Sequence, residues 1–201
     1  MNIVDRVKNI VLTPQTEWPV IAAEATSVRE LYLGYVVPLA AIGPVARFLG
    51  ISLFGFSFLF AGRFGMPIVW ALSAAISQYV LALVGVFIVG LIIEALAPKF
   101  GGEKNRLQAL KVAVYASTPA WIGGVFYLLP SLGMLATLAS LYGIYVLYLG
   151  LPVLMKAPQD KAVPYTAVVI VCAIVVFVVI GAIVGEVGGF GMPSGRFGYR
   201  P

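Results

Sequence analysis

The chain has 201 residues, 61% of them hydrophobic and 10% charged, with a mean hydropathy of +1.02 and a net charge of +5. Soluble domains carry about 25% charged and about 45–50% apolar residues, so this chain has too little polar surface to fold in water. The composition excludes a soluble enzyme or binding module and points to an integral membrane protein in contact with a lipid bilayer.

The positive charge is spread over loops and ends rather than gathered in a block, which fits a membrane orientation signal and no nucleic-acid partner. The opening "MNIVDRVKNIVL" mixes Asp5, Arg6 and Lys8 with apolar residues and has no run resembling a signal-peptide core. In it Ile3, Val4, Val7, Ile10 and Val11 recur at helical spacing opposite Asp5, Arg6, Lys8 and Asn9. Thr13-Pro14 then reads as an N-cap followed by a first-turn proline, opening a second short helix with Trp18, Val20 and Ile21 on its apolar side. Residues 1–30 are therefore expected to form a cytoplasmic, amphipathic, interfacial segment with Trp18 at headgroup depth. The alternative is that both helices pack on the bundle's own loops.

Five stretches beyond this segment have the roughly 20 apolar residues of a spanning helix: about 31–53, 68–96, 107–129, 132–155 and 164–187. The phrases "GRFGMP", "APKFGGEKNR", "PSLG" and "KAPQDKAVP" separate them with Gly, Pro and charge. The expected fold class is all-α, a polytopic five-helix transmembrane bundle over residues 31–187, followed by a Gly-rich tail over 188–201. Nine Lys and Arg fall on the N-terminal side of the membrane and four (Arg47, Arg63, Arg196, Arg200) on the other. That bias places the N-terminus in the cytoplasm and the C-terminus and its tail outside it.

The first span carries Pro38 and Pro44 and the third Pro119, so both should be kinked. Pro119 releases the carbonyl of Tyr115, which Ser117, Thr118 or a neighbouring helix can satisfy. Lys111, one turn into the third span, and Glu94, near the end of the second, lie at similar depth on adjacent antiparallel helices. They are candidates for an ion pair, as are Arg47 and Glu186 at the opposite surface; each charge otherwise reaches water at its own interface. Ala116, Ala120 and Gly124 form a small-residue face on the third span, and Gly181, Gly185 and Gly189 another on the fifth. Such faces serve packing within the bundle or a contact in a homo-oligomer.

Catalytic chemistry lacks its parts. There is no histidine for a Ser-His protease, and the two aspartates, Asp5 and Asp160, lie outside the spans. No Cys/His cluster offers a metal site, the single cysteine (Cys172) allows no internal disulfide, and "FGGEKNR" follows no strand. No enzyme activity and no cofactor are expected. Ser73, Ser77 and Gln78 lie mid-span, level with Ser117 and Thr118, and either line a small hydrated cavity or bond between packed helices. No carboxylate or basic residue reaches that level, where ion relays keep one.

The order and spacing of "VKNIVLTPQTEWPVIAAE", "GYVVPLAAI", "ALKVAVYASTPAWIGG" and "LYGIYVLYLGLPVLMKAP" resemble Yip1-domain proteins of the bacterial type over nearly the whole chain. The "TP-x-TEW" opening and the "LYG-x-Y…GLP-x-LM" span are the most telling parts, and Pro119, Trp121, Gly143 and Gly150 match the family pattern. The resemblance implies a non-enzymatic protein of a bacterial inner membrane. Eukaryotic relatives associate with one another and with small GTPases through a longer acidic N-terminal region carrying a Leu-Tyr-Gly-Pro motif. That region is missing before the first span here, so small-GTPase binding is not carried over. The expected function is a membrane scaffold or adaptor that organises other membrane proteins, a homo-oligomer or local lipid; the alternative is a small-solute or ion permeation protein.

Overall fold

The computed structural model describes residues 2–187 except 55, 59–61 and 65–67. Two short helices, α1 (Ile3–Leu12) and α2 (Pro14–Ala23), precede a long interrupted helix. The latter begins with α3 (Val28–Leu31), entered through a capping box in which Ser27 and Glu30 satisfy each other's backbone N–H groups. It widens into a π-helical stretch (Tyr32–Val36), continues as α4 (Val37–Ala40) and, after a break at Ala41, as α5 (Ile42–Phe54). The two irregularities fall just before the prolines expected to kink this helix, Pro38 and Pro44. Each proline removes an intrahelical donor, and the Tyr79 hydroxyl donates to the Val37 carbonyl at 3.1 Å beside the break.

The separator "GRFGMP" contributes to something unforeseen: β1 (Phe56–Phe58) and β2 (Gly62–Phe64) pair antiparallel, with Ser57 opposite Arg63. Helix α6 (Ile68–Leu96) follows, then a 3₁₀ turn (Ala97–Phe100), α7 (Arg106–Gly123), two 3₁₀ turns, α8 (Gly133–Met155), a fourth 3₁₀ turn (Gln159–Lys161) and α9 (Ala162–Val187).

Among the described residues, four helices are long and apolar enough to cross a membrane: Val28–Leu53, Ala71–Phe100, Gly133–Met155 and Gln159–Val179. The expected third span, α7, falls short because 18 residues include Arg106, Gln108, Lys111, Ser117 and Thr118. Its place in the molecule explains that composition. Ala109 through Ala116 are all buried, enclosed chiefly by α6 and α8, so α7 needs no lipid-compatible surface. Glycines set the closest approaches: a Cβ on Gly143 of α8 would stand 2.7 Å from the Ala116 carbonyl, and one on Gly124 2.6 Å from the Gly43 backbone. The small residues Ala116 and Gly124 thus serve packing within the bundle. Ala120, on the same stripe, is half-buried.

Candidate functional site: a charged cluster beneath an N-terminal hairpin

Helices α1 and α2 form an antiparallel hairpin, and Thr13 makes its turn. The Thr13 N–H donates to the Asn9 carbonyl and ends α1; Pro14 needs no N–H partner and starts α2. The Thr13 hydroxyl does not cap α2 as expected but donates back to the same Asn9 carbonyl at 3.2 Å. The hairpin does not present Trp18 to headgroups either. Trp18 is wholly buried, its Nε1 donating to the Val146 carbonyl of α8 at 3.2 Å. A Cβ on Gly150 would lie 2.5 Å from the indole, so glycine there makes the socket. The Tyr115 ring meets the indole edge-on, centroids 6.3 Å apart.

Charges line the rest of the interface. The Arg6 guanidinium, 4% exposed, reaches across the hairpin to the carboxylates of Glu17 and Glu24, and Asn9 donates to the second Glu17 oxygen at 3.1 Å. The guanidinium also stands 5.6 Å from the Tyr115 ring centroid. From α7, Lys111 Nζ donates to the carbonyls of Ile21 (2.9 Å) and Glu24 (2.6 Å), and Gln108 Nε2 to that of Ala22 (3.4 Å). These are the carbonyls a helix leaves unsatisfied at its C-terminus, where the macrodipole also favours a cation. Two cations and two carboxylates make the cluster neutral, the condition under which ions persist in an interior. Beside it opens a cavity of about 160 Å³, lined by Arg6, Glu24, Thr26, Glu30, Tyr35 and Tyr115 among others. Tyr35, one of its lining residues, is held by a hydroxyl–hydroxyl bond to Thr118 at 2.9 Å.

The expected pairing of Glu94 with Lys111 does not occur. Lys111, only 1% exposed, is turned inward to the α2 carbonyls rather than up to the headgroups, and Glu94 accepts from Arg106 Nε at 3.0 Å. The first outcome follows from the hairpin, which brings an uncapped helix end to Lys111. Arg47 lies exposed over the Tyr127 ring, 5.8 Å from its centroid. Its expected partner Glu186 is in α9, but its side chain lies outside the described residues, as does Gly189; Gly181 and Gly185 are placed only as α9 backbone.

The polar residues expected at mid-span are not gathered. Ser117 donates to the Ala113 carbonyl at 2.7 Å within α7, and the Thr118 hydroxyl bonds to that of Tyr35. Ser77 is exposed, Ser73 half-buried, and Gln78 lies beside Gly43. The residues missed from sequence are Arg6, Glu17 and Glu24. Their signal was in the quoted "TP-x-TEW" phrase: its Thr-Pro is the turn, its Glu the Arg6 partner and its Trp the Gly150 plug.

The Yip1 domain model matches residues 8–180, from α1 into α9. The chain is 25% identical over 181 residues to the inner membrane protein YohC of Escherichia coli K12, covering 89% of this chain and 93% of the relative, and equally to YohC of an O6:H1 strain of Escherichia coli. No solved structure matches the chain. With the matched region running from the middle of α1 through α2 and the enclosing helices into α9, the chain belongs to the Yip1 domain family.

Proposed function

We propose that the protein is a non-enzymatic scaffold of a bacterial inner membrane, built to hold membrane-protein partners, copies of itself or local lipid on an apolar outer face. The observation that carries this reading is the contrast between its interior and its rim. Inside, Arg6, Glu17, Lys111, Tyr35 and Thr118 are bonded to one another or to backbone. Outside, α9 touches only α6 and α8 extensively, and Val171, Ile174, Val175 and Val178 are exposed. In this reading α7 crosses as a fifth, central span shielded from lipid by its neighbours, which sets the N-terminus in the cytoplasm and the C-terminus in the periplasm. A permeation path has weaker support, because the Ser117 and Thr118 hydroxyls are taken up by bonds within the protein.

The test is a photo-crosslinking residue at Val171 or Val178, activated in living cells. The scaffold reading expects discrete protein adducts, to itself or to a partner, that a residue at buried Val169 does not give. Lipid adducts from every α9 position that merely mirror the composition of the bulk bilayer, together with solute flux in reconstituted vesicles, contradict it.

A further inference from the structure

We infer that the α1–α2 hairpin is a re-entrant membrane element whose Thr13-Pro14 turn contacts the acyl chains of the leaflet on the N-terminal side. The inference rests on the hairpin's register against the spanning helices and is independent of the scaffold reading. The water-facing end of the bundle is marked by exposed Lys99, Glu103, Lys104, Lys156 and Lys161, with Glu103 N–H bonded to the Met155 carbonyl at 2.7 Å. The turn is far from that end. Tyr142 donates to the Val11 carbonyl at 2.8 Å and Gln15 to the Tyr145 hydroxyl at 3.3 Å. Tyr142 precedes Met155 by thirteen residues, which at the rise of an α-helix is about 20 Å of depth. That exceeds half of a hydrocarbon core about 30 Å thick.

The outer side of the hairpin carries large exposed apolar side chains along its length. Near its open end it carries exposed Asp5 and Lys8, the latter long enough to reach upward. Val4 is 65%, Leu12 67% and Val20 50% exposed, with Thr13, Gln15 and Thr16 exposed at the turn, while Arg6 and Glu17 on the inner face are 4% and 5% exposed. Polar side chains at the turn are all bonded nearby: Thr13 to the Asn9 carbonyl, Thr16 to the Thr13 carbonyl at 3.0 Å, and Gln15 to Tyr145. Hydrocarbon imposes that requirement, because it offers no water to an unsatisfied group.

Single cysteines at Asp5, Leu12 and Glu103, all exposed in the structure, placed in a chain with Cys172→Ala, test this. Native membranes opened on both faces are treated with a charged maleimide. Asp5→Cys and Glu103→Cys should label rapidly, and Leu12→Cys at least about tenfold more slowly, since the charged reagent is excluded from hydrocarbon; denaturation in detergent should equalise all three. A fluorophore on Leu12→Cys should then be quenched by lipids brominated at mid-chain. Labelling of Leu12→Cys as fast as Glu103→Cys overturns the inference, and so does slow labelling without quenching by bromolipid, which places Leu12 against protein.

Discussion

Arg6 illustrates how a side chain's setting, rather than its type, decides its energetic weight. With Arg6 and Glu17 both out of water, removal of one partner leaves the other ion uncompensated, a loss of about 3–5 kcal/mol for buried pairs. The Arg6→Leu variant is accordingly expected to unfold at clearly lower temperature in detergent, and Arg6→Leu with Glu17→Leu to recover part of the loss. The Lys156–Glu103 bridge, 2.8 Å long but 68% and 65% exposed, is the contrast: Lys156→Ala should leave the melting temperature nearly unchanged. Gly150 tests packing instead of charge. A methyl group there meets the Trp18 ring at 2.5 Å, so Gly150→Ala should cost about 1–3 kcal/mol, the usual range for overpacking. The same substitution should cost much less in a Trp18→Leu background, and a double-mutant cycle measures the difference.

At the scale of elements, α2 is held at its C-terminus by a helix distant in sequence. Lys111→Met removes the donor to the Ile21 and Glu24 carbonyls and leaves the cluster with one excess negative charge. Losing such a charge-assisted bond shifts a local opening equilibrium by about 1.5–3 kcal/mol. Tryptic cleavage after Lys8 should therefore become at least about tenfold faster, while cleavage in the exposed loop after Lys104 keeps its rate. The elements themselves were largely legible. Unbroken apolar length gave α6 as 68–96 and α8 to within one residue, and Gly, Pro and charge marked most of their ends. Contacts were less so. Periodicity put Arg6 in the polar stripe of α1 and Ile10 in the apolar one, yet they are four residues apart, share a face and are buried together. A period tells which residues share a face; it does not tell whether that face meets water, lipid or a complementary ion. The Lys111 site was hidden for the same reason: its partners are backbone carbonyls, which no sequence pattern displays. The strand pair after α5 gave no alternation to find, because each strand has only three residues.

For the whole molecule, the question is how a chain with a charged, partly polar central helix sits in a bilayer. Helix α7 is lined largely by protein, so its composition reflects its neighbours rather than the lipid. In the proposed arrangement of five crossings the two ends of the chain lie on opposite sides. Activity-based reporters fused in turn to each end should then be active in opposite compartments; activity on the same side indicates an even number and removes α7 from the count.

The central claim is that the N-terminal hairpin is docked into the bundle by Trp18. It is tested most directly with Trp18 as the sole indole, after Trp70→Phe and Trp121→Phe, in reconstituted vesicles. A wholly buried ring predicts an emission little affected either by aqueous iodide or by lipids brominated near the headgroup. Strong quenching by the shallow bromolipid places Trp18 at the membrane surface and contradicts the docked hairpin.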